Sequence, residues 1–292
     1  MIYLKSFRLL SEADEEDFFY SRDPLATANY YNSYYPFGVF RGRGLPVLEL
    51  ADVTVLYGGN GSGKSTVLNV IAEKLGLRRG AEYNRSDYFP EYVRRCRAET
   101  AYGRSVPQAS RMMTSDDVFN WLLDIRHVND GIDCRRAELL DEYQAARGRE
   151  SRRLASLEEY EQWRRENEAR RLSRGKYLRD KLMPNVREWS NGESALAFFA
   201  EQIREDALYL LDEPENSLSA ARQLELKRFL EDSARFFRCQ LIISTHSPFL
   251  LAMRGARVYD LDAEPPCVRR WSELENVRAY HDFFKETEDE FE

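Results

Sequence analysis

Apolar residues along the chain follow two different patterns. The short stretches 207–211 and 240–244 are largely apolar, which is typical of strands that are buried on both faces of a sheet. In the stretches 64–75 and 221–236, apolar residues recur at helical spacing. Because strands that alternate with helices favour parallel pairing, the chain is predicted to have an α/β fold with a mostly parallel sheet flanked by helices.

The same patterns predict further elements outside these four stretches. Residues 1–10 and 47–57 are expected to form strands, and residues 116–126 and 194–203 are expected to form short helices. Residues 11–45 are rich in Tyr, Phe, Asn, Pro and Gly and show little periodicity. We therefore predict a long loop region there.

The segment 135–181 is highly charged and contains spaced Leu, Tyr and Trp residues. We predict two helices that are separated near Gly148, with Ser156 and Glu159 forming a capping box for the second and Pro184 marking its end. The simplest interpretation is a helical subdomain with a solvated face, which we prefer to a longer interacting arm.

Length and composition favour one enlarged domain. The chain has 292 residues and 43% hydrophobic residues, which is enough to build a large core. We predict a single domain, 1–292, in which residues 1–130 and 184–275 form the α/β core. Residues 134–183 are predicted to form an inserted helical subdomain.

The charge and the cysteines exclude some classes of protein. A formal net charge of −7 argues against a wholly basic nucleic-acid binder. The four cysteines form no C-x-x-C pair, so no zinc site is indicated and a reduced, intracellular protein is expected. The N-terminus turns acidic too early for a signal peptide, and no apolar run is long enough to cross a bilayer. We therefore expect a cytoplasmic protein without direct membrane insertion.

A glycine-rich segment between a predicted strand and a predicted helix carries the clearest chemical signal. Residues 58–65 read GGNGSGKS and match the pattern G-x-x-x-x-G-K-[ST]. Glycines let the backbone N–H groups approach phosphates closely, and the following helix presents its positive end. Lys64 is expected to neutralise the β- and γ-phosphates of ATP, and Ser65 to place its hydroxyl on Mg²⁺. The predicted phosphate-binding residues are Gly58, Gly59, Asn60, Gly61, Ser62, Gly63, Lys64, Ser65 and Thr66.

Candidate catalytic residues follow the two buried strands. Asp212 and Glu213 come directly after the apolar run 208–211, at the strand end where open α/β sheets bind ligands. Asp212 is expected to hold Mg²⁺, and Glu213 to orient and deprotonate the attacking water. His246 follows the next strand and is expected to contact the γ-phosphate or that water. The predicted catalytic residues are Glu213, His246 and Lys64.

A second anion-binding signal lies further along the chain. Residues 189–194 read WSNGES and precede a predicted helix. A serine and a glycine at a helix N-terminus form an arrangement that attracts anions. The chain therefore carries one phosphate loop and one serine–glycine turn.

The order of these motifs resembles the ABC-type ATPase family. The strings GGNGSGKST, SNGES, LYLLDEPENSLS and ISTHSP are similar to those of its non-transporter branch, which includes RecF-like, SMC-like and OLD-like ATPases. The resemblance covers Gly58–Thr66 and Ser190–Pro248. It implies a P-loop NTPase fold of the ABC-type ATPase head, with ATP and Mg²⁺ as ligands.

The resemblance also implies a homodimer. In that family the signature turn of one subunit closes over the γ-phosphate held by the other, so that two ATP molecules are sandwiched between two subunits and hydrolysis releases the dimer. The residues that would carry this role are Ser190, Asn191, Gly192 and Glu193.

The sequence departs from the family pattern at several points. Asn191 replaces the first of two adjacent glycines in the signature, and Ser219 stands where aspartate is frequent. These departures fit RecF-like and SMC-like proteins better than transporter subunits. The candidates for the glutamine loop are Gln108, Asp116 and Asp117. The candidates for the aromatic residue that stacks on adenine are Tyr34, Tyr35, Phe37 and Phe40.

Our preferred function is a Mg-ATP-hydrolysing dimerisation switch that acts in DNA maintenance, in phage defence or on an effector protein. The alternatives are the nucleotide-binding subunit of a membrane transporter, a P-loop kinase and a module that binds ATP without turnover. DNA is a possible ligand, since 135–181 contains fourteen basic and ten acidic residues. A solvated arginine-rich helix is the preferred interpretation of that excess. The arginines concerned are Arg164, Arg165, Arg170, Arg171 and Arg174.

Overall fold

The computed structural model describes most of the chain. The described residues are 1–20, 34–45, 47–101, 103–148, 160–184, 191–216 and 218–291, and the side chains at 161–163, 165–166 and 191–194 are not described. The helices are α1 (Glu12–Tyr20), α2 (Lys64–Leu75), α3 (Phe89–Arg95), α4 (Ser115–Gly148), α5 (Tyr160–Arg171), α6 (Arg174–Arg179), α7 (Asn191–Gln202), α8 (Ala220–Phe236), α9 (Pro248–Leu251) and α10 (Glu275–Glu286). The strands are β1 (Leu4–Arg8), β2 (Leu48–Glu49), β3 (Val53–Tyr57), β4 (Arg97–Thr100), β5 (Arg111–Thr114), β6 (Leu208–Asp212), β7 (Gln240–Ser244), β8 (Arg257–Asp260) and β9 (Cys267–Arg269).

The larger sheet confirms the predicted α/β fold. Within the described residues it has six strands in the order β5-β6-β7-β3-β8-β9, and every neighbouring pair is parallel except β8 and β9. Every residue of β3 and β7 is buried, as expected for strands covered on both faces. The apolar runs therefore form the centre of the sheet.

The strand register brings the chemically important segments to one edge. Asp212 at the end of β6 pairs with Ser244 at the end of β7 and with Thr114 at the end of β5. Leu56, near the end of β3, also pairs with Ser244. Because these strands are parallel, the residues that follow them all emerge at the same edge.

A smaller antiparallel sheet is built from the N-terminal strand. Its order is β2-β1-β4 in the described chain. Gln240 links it to the larger sheet, because its side-chain oxygen accepts hydrogen bonds from the backbone N–H groups of Tyr3 and Leu4 at 2.8 and 2.9 Å. The fully buried Leu4, Phe7 and Leu68 belong to one core shared by both sheets.

The structure corrects the expectations for the N-terminal third. The predicted loop at 11–45 is wrong at its start, because α1 forms there. This helix buries only Glu15 and Phe18, so its sequence shows little apolar periodicity. The predicted single strand at 47–57 is two strands, since β2 belongs to the small sheet and β3 to the large one.

The structure also corrects the predictions for the helices between β5 and β6. The predicted short helix at 116–126 is only the first part of α4, which has no proline to end it before Gly148. The predicted second helix does not extend to Pro184. The helix there is α5, which ends at Arg171. A separate helix, α6, begins after Ser173, which has the extended backbone of an N-cap residue. The predicted capping box of Ser156 and Glu159 lies outside the described residues.

The chain divides into two compact units. One comprises Met1–Val118 and Asn191–Glu292, and the other comprises Phe119–Ser190. The second has a small core of its own, in which Tyr143 donates to the Leu172 carbonyl at 3.1 Å. Whether this unit is a functional subdomain with the predicted limits 134–183 stays a prediction.

Among the described residues, every helix is too short or too polar to span a membrane.

Candidate functional site

The phosphate loop lies between β3 and α2 and is preorganised by its neighbours. Gly63, the residue before α2, has φ 98°, which is a left-handed conformation that favours glycine. A Cβ atom at this position would lie 2.5 Å from the Phe40 ring, so glycine is also needed for close packing. Arg43 donates to the Ser62 carbonyl at 3.0 Å. These protein contacts help to hold the loop in shape.

Lys64 is buried and fully hydrogen-bonded. Its residue is 4% exposed, and its ammonium group donates to the carbonyls of Gly58 and Gly59 at 2.8 and 3.1 Å. The third contact is to His246 Nε2 at 2.8 Å. Burial lowers the pKa of the Lys64 ammonium, while the nearby Glu213 carboxylate acts in the opposite direction. These contacts place the ammonium group of Lys64 beside the phosphate loop.

The contact with Lys64 restricts the tautomer of His246. An ammonium group can only donate, so His246 Nε2 accepts and the proton of a neutral ring resides on Nδ1. The same Nε2 atom lies 3.4 Å from Glu213 Oε1. Because Nε2 carries no proton in this arrangement, the Glu213 contact is not an ion pair. His246 thus lies between the lysine and the acid.

Glu213 has an unusual backbone conformation. Its φ is 48°, in the left-handed region that non-glycine residues rarely adopt, at a typical cost of about 1–3 kcal/mol. Its N–H group donates to the Ser244 carbonyl at 3.0 Å, and its Oε2 accepts from Asn216 Nδ2 at 3.1 Å. The turn from β6 therefore aims the carboxylate towards His246 and the phosphate loop.

Asp212 and Ser65 supply oxygen atoms that suit a magnesium ion. Asp212 Oδ1 accepts hydrogen bonds from Ser65 Oγ at 3.1 Å and from Ser244 Oγ. Burial raises the pKa of the Asp212 carboxyl. A carboxylate and a hydroxyl are hard ligands of the kind that Mg²⁺ prefers beside phosphates. The donor set thus fits the predicted metal, and Asp212 and Ser65 are the residues that would hold it.

Glu215 is a site residue that the sequence analysis missed. It is 8% exposed, and its Oε1 accepts from Thr245 Oγ1 at 2.6 Å and from the N–H groups of His246 and Ser247 at 2.7 and 3.2 Å. Its Oε2 has no hydrogen-bond partner among the described residues. Burial raises the pKa of this carboxyl. Glu215 holds the turn that carries His246, and its place in the string DEPE was the available signal.

Asp262 is a second residue that was missed. Its carboxylate accepts from the Gly59 N–H at 2.6 Å and so holds the front of the phosphate loop. It follows β8, a third parallel strand that ends at the same edge as β3 and β7. Applying the strand-end argument to this strand would have identified it.

A pocket of about 360 Å³ joins the loop to the acid. It brings together most of the predicted phosphate-binding residues and the predicted base. Its lining residues are Val39, Asn60, Gly61, Gly63, Lys64, Ser65, Thr66 and Glu213.

The structure separates the candidates for adenine stacking. Phe37 and Phe40 are 7% and 6% exposed and belong to the core, so neither ring is available to a base. Tyr34 stacks on Tyr88 with ring centroids 5.0 Å apart, and the Tyr35 hydroxyl donates to Thr66 at 3.0 Å. Both tyrosines are only partly buried, so they stay candidates for stacking on adenine.

The glutamine-loop candidates lie at different edges of the larger sheet. Gln108 precedes β5 and lies at the edge opposite the phosphate loop. Asp116 and Asp117 follow β5, at the same edge as Asp212. The Asp117 carboxylate accepts from the Thr114 N–H at 2.8 Å and so caps α4. Asp116 is therefore the exposed acidic candidate at the correct edge.

The predicted signature turn is only partly described. Ser190 lies outside the described residues, and Asn191, Gly192 and Glu193 form the first turn of α7. The first backbone N–H groups of a helix have no partner within that helix. Their backbone placement is thus compatible with anion binding, and their role stays a prediction.

Comparison with known proteins identifies one family model. Residues 127–252 match the model described as "AAA domain, putative AbiEii toxin, Type IV TA system". The match includes Asp212, Glu213 and His246, while the phosphate loop precedes it. No curated protein matches the chain.

Solved structures with low sequence identity also match. The Smc head domain bound to the C-terminal domain of ScpA, from Pyrococcus furiosus, is 12% identical, with coverage of 99% of this chain and 100% of that chain and a TM-score of 0.44. A dimeric ATP-binding cassette in a post-hydrolysis state bound to ADP and Pi is 16% identical, with coverage of 74% and 84% and a TM-score of 0.34. An inward-facing transporter of the metal-chelate ABC type is 18% identical, with coverage of 81% and 80% and a TM-score of 0.39.

Proposed function

We propose that the chain is a P-loop ATPase of the ABC type, from the branch outside the transporters, that it hydrolyses Mg-ATP and that ATP closes it into a homodimer. The observation that carries the proposal is the position of Lys64. Its ammonium group contacts both the phosphate loop and His246, and His246 lies 3.4 Å from Glu213. Triphosphate binding and water activation would therefore share one centre.

ATP binding would exchange the partners of Lys64. All three N–H bonds of its ammonium group are used by protein acceptors. A β- or γ-phosphate oxygen is a charged acceptor and would replace His246 Nε2. That exchange frees His246 Nε2, which would then carry a ring proton and donate it in a hydrogen bond to a γ-phosphate oxygen. The backbone N–H groups from Gly61 to Ser65 would cradle the phosphates at the start of α2.

Hydrolysis would use Glu213 as the general base. The carboxylate takes one proton from a water molecule as the water oxygen forms a bond to the γ-phosphorus. The bond between that phosphorus and the bridging oxygen breaks, and its electron pair leaves on ADP. Lys64 stabilises the charge that develops on the phosphate oxygens. Mg²⁺ held by Ser65 and Asp212 would add charge neutralisation.

The signature turn is proposed to complete the site from a second copy. Asn191–Glu193 present the N–H groups at the start of a 12-residue helix, which can bind an anion through the backbone alone. Two copies related by two-fold symmetry would then enclose two ATP molecules. The unit Phe119–Ser190 would be an inserted helical subdomain. The ATP cycle would act on DNA or on an effector protein, in DNA maintenance or in phage defence.

The oligomeric state of the Glu213→Gln variant, measured by size-exclusion chromatography with Mg-ATP, tests whether ATP closes the dimer. The variant keeps the phosphate contacts and lacks the base, so we expect it to elute as a dimer with Mg-ATP and as a monomer without nucleotide. Duplex DNA added to the same samples tests whether the closed dimer binds DNA. Gly192→Trp on the Glu213→Gln background is the matched control, since it should prevent closure while ATP binding is retained. A variant that stays monomeric at saturating Mg-ATP would rule out the sandwich.

A further inference from the structure

The C-terminal helix α10 presents aromatic side chains to solvent. Tyr280, Phe283 and Phe284 are 47%, 56% and 52% exposed, and Phe291 just beyond the helix is 73% exposed. The ring centroids of Phe283 and Phe284 are 5.4 Å apart, and those of Phe284 and Phe291 are 6.1 Å apart. Tyr280 lies one helical turn before Phe283 and Phe284. We call these four residues the aromatic patch.

The aromatic patch is not part of the buried core. Within α10, Val277 is the buried residue, and the helix is anchored by the fully buried Leu274 before it. Contiguous exposed aromatic residues on a soluble protein mark interaction sites more often than chance, because water disfavours leaving them bare. Tyr and Phe are also enriched in protein interfaces.

The charges around the patch restrict what can cover it. Residues 275–291 include six acidic residues, against two basic residues, Arg278 and Lys285. Four of these acidic residues lie between Lys285 and Phe291 in the sequence. A second copy of this surface would bring like charges together, and an anionic membrane would be repelled. The acidic residues that follow Lys285 are Glu286, Glu288, Asp289 and Glu290.

The start of α10 contacts the candidate active site. The Asn276 N–H donates to the Tyr57 hydroxyl at 3.2 Å, at the end of β3 just before the phosphate loop. Its side-chain amide donates to the His246 carbonyl at 3.4 Å. A rearrangement of the His246 turn would therefore act directly on the first turn of α10.

We propose that the aromatic patch is the docking surface for a partner protein, and that the partner presents apolar side chains flanked by Lys or Arg. The apolar side chains cover Phe283 and Phe284, and the cations meet the acidic residues that follow. Asn276 connects this surface to the His246 turn, so the nucleotide state changes the affinity for the partner. Only this last statement rests on the proposed ATPase function.

Binding of a designed peptide to the full chain tests the docking surface. The probe is a labelled synthetic helix with a leucine stripe flanked by lysines, and the matched probe carries glutamates in place of the lysines. We expect the lysine peptide to bind at least about tenfold more tightly than the glutamate peptide. The double variant Phe283→Ser/Phe284→Ser should weaken binding of the lysine peptide about tenfold or more. Leu224→Ser, at another exposed apolar residue, is the control and should leave the affinity unchanged.

Several results would overturn the docking surface. They are equal binding of both peptides, equal binding by the double variant, or no binding of the lysine peptide. The proposal would also be overturned if the nucleotide-free wild type were a dimer and the double variant a monomer. That result would show that a second copy covers the aromatic patch. Circular dichroism and thermal unfolding of the same preparations verify that each variant is folded.

The link to the nucleotide site is tested by repeating the titration with Mg-ATP. We expect a change in peptide affinity of about threefold or more, within the usual range of coupling between sites. Asn276→Ala should abolish that change, and an unaltered change in this variant would contradict the link. If the protein bound no ATP, the proposed function would fail while the peptide result without nucleotide would stand.

Discussion

The phosphate loop and the acid–histidine corner, which comprises 212–215 and 244–247, are built by different means. The loop is one contiguous stretch, shaped by glycine conformations and by side chains that pack on it. The corner joins two stretches about thirty residues apart, through the pairing of β6 with β7 and the carboxylate of Glu215. Lys64 contacts both. The loop therefore combines local backbone preferences with a few tertiary contacts, such as those of Phe40 and Asp262, whereas the corner depends on tertiary structure throughout.

The largest expected effect separates the chemistry of the corner from binding by the loop. Glu213→Gln removes the base but keeps a side chain of the same shape, so hydrolysis should fall by about 10²–10⁴-fold. ATP affinity should stay within about threefold, because the phosphates are held by the loop. Phosphate release and equilibrium ATP binding measured on the same protein would verify this. A variant that hydrolyses ATP at the wild-type rate would show that Glu213 is not the base.

The next effect tests Lys64 as the link between the two parts. Lys64→Ala should weaken ATP binding by about 100-fold or more, because charge-assisted hydrogen bonds to the phosphates are lost. The control is Lys74→Ala, at the other end of α2, where the lysine contacts the carbonyls of Val93 and Arg94. Calorimetric titration of both variants is the measurement. Similar ATP affinity of the two variants would contradict the assignment of Lys64.

A smaller effect tests whether Glu215 stabilises the acid–histidine corner. Glu215→Ala leaves the N–H groups of His246 and Ser247 without their acceptor and should lower the free energy of unfolding by about 1–3 kcal/mol. We expect kcat to fall about tenfold while ATP affinity changes little, because the His246 turn loosens. Glu215→Gln keeps an acceptor oxygen and should restore most of both losses. Equal kcat in the wild type and the alanine variant would show that the support is not needed.

This contrast explains how much the sequence could predict. The loop residues 58–65, the buried strands and the helix that starts at Lys64 follow from contiguous patterns, and the predicted mostly parallel sheet is confirmed. The contact between Lys64 and His246 spans 182 positions, so only the order of parallel strands could suggest it. The buried role of Glu215 was missed because its partners lie after another strand.

The remaining errors have a similar origin. Helix α1 was missed because its residues are mostly polar and it is held by a few contacts, such as the hydrogen bond from the Gly38 N–H to Glu15 at 3.1 Å. The extent of α4 was underestimated because its apolar periodicity is weak over most of its length. In both cases tertiary contacts or the absence of a helix stop outweigh the periodic pattern.

Nitrogen NMR of the histidine rings tests the central claim most directly. The chain has three histidines, and His246→Gln assigns the resonance of interest. In the nucleotide-free protein we expect a neutral His246 ring with the proton on Nδ1 and Nε2 accepting from Lys64. A Mg²⁺ complex of a non-hydrolysable ATP analogue should shift the Nε2 resonance, since the phosphate takes over Lys64. A resonance that stays unchanged at saturating analogue would contradict the claim that the triphosphate binds where the loop and the corner meet.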